Sequence, residues 1–151
     1  MVHKRRVVPV NVLVVCHGNI CRSPLVGAML ARRLGPDCVR DRGLGSKPNR
    51  AVAKKVREYA AGIGIDLSAH RSCLMTTADV EWCDLLVYMD QGNYKRLSSA
   101  ARMKARCLAE WVGRDRIPDP NYLPRGPALQ EILNLATVAA TRLAAEVSYV
   151  G

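Results

Sequence analysis

Cys16 and Arg22 are separated by five residues, with Gly18 and Asn19 between them and Ser23-Pro24 directly after. A cysteine can supply a thiolate nucleophile, and an arginine a planar fork that holds two oxygens of a tetrahedral oxyanion. Such a pair suits covalent transfer of a phosphoryl group. For that, the chain must place both side chains at one anion-binding loop. Val12-Leu-Val-Val15 is a short, β-branched, apolar run, the pattern of a strand covered on both faces. Gly18 and Asn19 tolerate left-handed backbone and close approach of a ligand. Ser23 as N-cap and Pro24 at the first helical position predict a helix from Ser23 onward. Cys16 is thereby expected at the carboxyl end of a strand, and Arg22 just before a helix N-terminus. Loop N–H groups and the helix terminus together cradle an anion, and the same field favours a thiolate over a thiol.

A buried structural thiol and a surface arginine would show the same Cys–Arg spacing. They would not require glycine, asparagine, a cap and a proline at a strand-to-helix junction. The chain has no Gly-x4-Gly-Lys-Ser/Thr, so this is not the nucleotide phosphate loop.

The string Cys16-His-Gly-Asn-Ile-Cys-Arg-Ser-Pro24 closely resembles the phosphate loop of the low-molecular-weight protein tyrosine phosphatases. Ile117-Pro-Asp119-Pro-Asn-Tyr122 is similar to that family's general-acid loop, and the likeness runs from Val12 to Ala145. The resemblance implies hydrolysis of phosphotyrosine and small aryl phosphates through a phosphocysteine on Cys16, with no metal and no cofactor. Arg22 and the loop His17-Gly18-Asn19-Ile20-Cys21 would bind the phosphate, and Asp119 would act first as general acid and then as base. Asn19 would hold a strained backbone, Ser23 would donate to the Cys16 sulfur, and His70 would support this network from below. Cys21 would form a reversible disulfide with Cys16 that protects the nucleophile from over-oxidation. His17 and Tyr122 would line the substrate cleft. Ile20 stands where arginine-phosphatase members carry threonine, which favours tyrosine.

The chain departs from the family pattern in its second loop, Arg42-Gly-Leu-Gly-Ser-Lys-Pro-Asn49, which is shortened. Arg42 stands in place of a family serine, which calls the His70 network into question. The aromatic often found there is missing, and Lys47 and Arg50 are candidates for a basic rim that meets acidic peptides. Asn121 occupies a position where many members carry a second tyrosine.

At 151 residues with 49% hydrophobic content, the chain suits one globular domain. Residues 1–9 read as a basic tail and 10–151 as a single phosphatase domain. The formal charge is +10, but the basic residues are scattered and aromatics are few, so no nucleic-acid partner is expected. The six cysteines show no zinc spacing, and Cys16 must be reduced to react, so a cytoplasmic protein with free thiols is expected. Pro9 and Asn11 interrupt the first apolar run, which argues for a strand rather than a signal peptide. No run reaches the length of a membrane span. The expected partner is a tyrosine-phosphorylated protein or peptide, and the expected state a monomer.

Strand and helix patterns alternate along the chain. Helices are predicted over Ser23–Leu34, Arg50–Gly62, Thr77–Trp82, Asn93–Ala105 and Pro127–Val147, and strands over Val12–Val15, Cys38–Arg42, Asp84–Met89 and Arg106–Trp111. This gives an α/β fold of three layers, a central four-stranded parallel sheet flanked by helices, with the phosphate loop after strand one. Two other functions compete. A thiol-dependent arsenate reductase of the same fold would need relay cysteines after the third strand, where the chain reads Val87-Tyr-Met-Asp90. A non-catalytic phosphate or nucleic-acid binding module would not need the complete set of Cys16, Arg22 and Asp119.

Overall fold

The computed structural model describes residues 10–45, 47–120 and 127–148. Four parallel strands form one sheet in the order β2-β1-β3-β4, with β1 Val12–Cys16, β2 Val39–Gly43, β3 Leu85–Tyr88 and β4 Ala105–Cys107. Helices α1 Arg22–Leu34, α2 Lys54–Gly62, α3 Thr77–Trp82, α4 Gln91–Lys95, α5 Ser99–Met103 and α6 Pro127–Val147 complete the frame.

Strand alternation sorts the side chains into layers. Val12 and Val14 face Val26 and Leu30 of α1 and the Ala136, Ala139, Ala140 and Leu143 stripe of α6. Leu13 and Val15 face Val80 of α3 and Ala101 of α5. β1 is central and fully buried, which is why its sequence is apolar at every position rather than alternating. Cys16 continues the Val12–Val14 side, so its sulfur is presented toward α1. Gly27 lets α1 lie close on β2: a Cβ there would stand 3.0 Å from the Asp41 Cβ.

The expected α/β architecture is the observed one, and several boundaries differ for local reasons. The first helix begins at Arg22, with Cys21 as its N-cap and no side-chain cap, so Ser23 lies inside the helix instead of capping it. Its hydroxyl instead lies 3.0 Å from the Cys16 sulfur. The second helix starts at Lys54 rather than Arg50, because Ala51 pairs with Arg71 as a bridge and Arg50 N–H donates to Ser72 Oγ. The stretch predicted as one helix over 93–105 is two short helices, each with its own cap: Asp90 accepts from Asn93 N–H, and Ser98 from Ala101 N–H. The fourth strand ends at Cys107, and Leu108–Val112 turns into a 3₁₀ helix. Tyr122 and the stretch 121–126 lie outside the described residues.

Candidate active site

The loop after β1 wraps around the Cys16 sulfur. Asn19 N–H donates to Sγ at 3.3 Å and Ser23 Oγ lies 3.0 Å from it. Asn19 has φ 54°, a left-handed residue of the kind functional loops hold under constraint. Its side chain is fully buried and supplies the constraint: Nδ2 donates to Ser23 Oγ at 2.9 Å and to Asp41 Oδ2 at 2.7 Å, and Oδ1 accepts from Cys73 N–H at 2.9 Å. Because Asn19 fills an acceptor site on Ser23 Oγ, the serine hydrogen is free to point at sulfur. His70 Nε2 meets the same Asp41 Oδ2 at 2.6 Å. A chain of contacts thus runs His70–Asp41–Asn19–Ser23–Cys16.

Asp41 is the member that the sequence did not reveal. Its partners lie 22 and 29 residues away, and β2 reads as a short charged run in which no residue is marked out. The same strand removes the concern about Arg42. Alternation places Asp41 toward α1 and puts Arg40 and Arg42 on the opposite side, where both reach Asp79 at 3.1 Å. Arg40 also stacks on Trp82 at 4.1 Å. Burial alone would raise the Asp79 carboxyl, but the Thr76 N–H and the Arg42 and Arg40 guanidinium groups outweigh it and hold it below the ordinary range. The histidine network therefore runs through position 41 and does not need position 42.

Arg22 is 1% exposed, and its guanidinium is divided between two tasks. Nη1 is anchored, donating to Asp90 Oδ2 at 2.6 Å and to the Ile117 carbonyl at 2.7 Å. Nε has no acceptor among the described residues, and Nη2 faces Asp119 Oδ2 at 3.4 Å. A buried N–H without a partner costs about 1–3 kcal/mol. The Nε–H is left for a ligand oxygen, while Nη2 is shared with Asp119. The N–H groups of Gly18, Ile20 and Cys21 likewise donate to no backbone acceptor among the described residues. Asp90 went unnoticed in the sequence, although a residue just beyond the carboxyl end of β3, next to β1, is where such sheets build their sites.

Asp119 is brought to the loop through Ile117, which is fully buried and fixed at both ends: its N–H donates to Met89 O at 2.7 Å and its carbonyl accepts from Arg22. His17 is half-buried beside Gly45, where a Cβ would stand 2.6 Å from its ring. Cys21 is buried with its thiol pushed up to about 12, chiefly by burial and then by the Cys16 and Asp119 charges, against the opposing pull of Arg22 and Arg50. All six cysteines are free thiols. Cys73 is exposed, and Cys83 and Cys107 are buried thiols raised by desolvation. Lys47 and Arg50 are both exposed. No group of three or more metal-ligating side chains occurs among the described residues.

Beside this arrangement of sulfur, buried arginine and carboxylate stands a family match: the model of the low molecular weight phosphotyrosine protein phosphatases fits residues 11–149. The chain belongs to that family. Membership makes it a phosphoric monoester hydrolase of the phosphatase kind. The low molecular weight protein-tyrosine-phosphatase Ptp of Acinetobacter johnsonii is 31% identical over 73% of this chain and 79% of its own. The structure of Vibrio vulnificus Wzb in complex with benzylphosphonate superposes with a TM-score of 0.82 at 30% identity, covering 91% of this chain and 99% of that one. The YwlE arginine phosphatase from Geobacillus stearothermophilus superposes with a TM-score of 0.81 over 91% of this chain and 92% of its own. At 24% identity it shares the fold alone.

Proposed function

We propose that this phosphatase hydrolyses phosphotyrosine, and small aryl phosphates, through a phosphocysteine on Cys16. The observation that carries the reading is the Arg22 Nε–H, buried and without an acceptor among the described residues, in the same loop as a sulfur that already receives two hydrogen-bonding groups. Phosphate oxygens would satisfy that N–H and the spare loop N–H groups of Gly18, Ile20 and Cys21. The sulfur attacks phosphorus, the S–P bond forms, and the bond to the phenol oxygen breaks. Asp119 gives its proton to that oxygen, then as carboxylate takes one from the water that attacks the phosphocysteine. Sulfur leaves as thiolate, met by the Ser23 hydroxyl and the Asn19 N–H. Asp90 holds Arg22 in place by its outer nitrogen, so the remaining edge is preset for charge on the transferring group.

Tyrosine is favoured over arginine by Ile20, whose side chain stands against Gly18 at the loop. The working compartment is reducing and cytosolic on this reading, because a disulfide between Cys16 and Cys21 removes the nucleophile. Among the described residues no helix is long and apolar enough to cross a membrane.

Hydrolysis of p-nitrophenyl phosphate with reductant and EDTA tests the mechanism. Cys16→Ser is expected to abolish turnover, and Asp119→Ala to lower kcat about 100-fold or more. Undiminished turnover by Cys16→Ser would refute it. Phosphotyrosyl and phosphoarginyl peptides, compared on the same enzyme, test the substrate class.

A further inference from the structure

A cleft of 730 Å³ opens beside the phosphate loop, bordered by His17, Arg96, Arg116 and Asp119. Its other acid at the loop, Asp90, is already neutralised by Arg22. Arg96 and Arg116 are exposed and join no ion pair among the described residues. Arg96 is close to the loop itself, since its Nη1 and the His17 ring both crowd the position a Gly45 Cβ would take, at 3.0 Å and 2.6 Å. A second cleft of 470 Å³ shares Gln91 and Asp115 with the first and adds Tyr94, Arg102 and Arg114. Arg102 is held in position there: its guanidinium stacks on Tyr94 at 4.7 Å and donates to the Tyr94 and Lys95 carbonyls. Arg102 and Arg114 also join no ion pair among the described residues.

Scattered arginines on a basic protein are ordinarily a solvated surface. These four differ in lying along two neighbouring clefts that share Gln91 and Asp115; among the described residues there, Glu110 is paired with Arg106 at 3.5 Å, and Asp115 is the one carboxylate neither paired with a cation nor proposed for catalysis. Such a path repels a basic peptide and attracts an acidic one.

We propose that the Arg96–Arg116–Arg102–Arg114 groove is a substrate subsite that selects phosphotyrosine flanked by Asp or Glu. The proposal rests on the phosphotyrosine reading above and deepens it. Carboxylates on one side of the phosphotyrosine lie along the groove while the phosphate occupies the loop. Each exposed pair contributes modestly, so two engaged carboxylates give about a threefold to tenfold preference at low salt.

The test is a ratio of kcat/KM measured on one enzyme for two phosphotyrosyl peptides, one with flanking Glu residues and one with Gln in their place. We expect a ratio of about threefold to tenfold for the wild type, falling toward one at 0.5 M salt as exposed charges are screened. Arg96→Gln/Arg102→Gln/Arg114→Gln/Arg116→Gln is expected to bring the ratio to one at low salt. Arg96→Glu/Arg102→Glu is expected to reverse it in favour of a Lys-flanked peptide. A wild-type ratio of one, or a ratio that survives in the Gln variant, overturns the subsite while leaving the phosphatase reading intact. Turnover of p-nitrophenyl phosphate with none of any phosphotyrosyl peptide overturns both.

Discussion

Replacing Ser23 with alanine removes a hydroxyl that lies 3.0 Å from the Cys16 sulfur and 2.9 Å from Asn19 Nδ2. Asn19 keeps its bonds to Asp41 and to Cys73 N–H, so the loop retains most of its bracing. On the proposed mechanism, what is lost is one hydrogen bond to the sulfur as it departs with negative charge, worth about 1.5–3 kcal/mol. The loss falls hardest on the second step, where negative charge returns to sulfur as the S–P bond breaks. A barrier raised by that amount slows the step by about 10- to 150-fold. Stopped-flow release of p-nitrophenol should show a burst near one equivalent of enzyme, followed by a steady rate lower by that factor. A kcat within twofold of wild type would refute the assignment of the hydroxyl to sulfur. A comparable loss without a burst would move the role of Ser23 from departure of the thiolate to its attack.

Three further outcomes are expected. Gly27→Ala should lower stability by about 1–3 kcal/mol in urea unfolding, because the new Cβ meets the Asp41 Cβ at 3.0 Å and prises α1 from β2; activity should fall with it, since Asp41 steadies Asn19. Cys21, raised to about 12 from an ordinary value of 9.0, favours the folded state while it is a neutral thiol. Its share of the stability is complete below pH 9 and is lost as pH rises toward 12, so thermal melting should fall less steeply across that window in Cys21→Ala. After brief peroxide treatment, dithiothreitol should restore the wild type but restore Cys21→Ala poorly, because in the wild type the Cys21 sulfur displaces water from a sulfenic acid on Cys16 and the resulting disulfide shields Cys16 from further oxidation.

The parts of the site written into neighbouring positions could be read from the sequence. Cys16, Gly18, Asn19 and Arg22 fall within one strand-loop-helix transition, where backbone chemistry dictates residue type. The four parallel strands followed from alternating patterns. What escaped were residues whose meaning depends on partners far along the chain. Asp41 and Asp90 are ordinary acids until the sheet places β2 and β3 on either side of β1. Ser23 looked like a helix cap because serine before proline usually is one. Its contact with the Cys16 sulfur, expected from the family resemblance alone, is made from inside the helix, which begins a residue earlier at Arg22. Arg42 raised a doubt that the two-residue period of a strand dissolves, since adjacent side chains point to opposite layers.

Ile117 is pinned to Met89 and to Arg22, and Asp119 follows it by only two residues. A two-residue arm reaches about 7 Å even when fully extended. Asp119, the proposed general acid, is therefore carried on a short, fixed leash rather than on a swinging lid. Changes at the cleft residues Arg96 and Arg116 can reshape what the enzyme accepts without relocating Asp119. Recognition and chemistry are separately adjustable, and a lineage can change its clientele while its reaction stays the same.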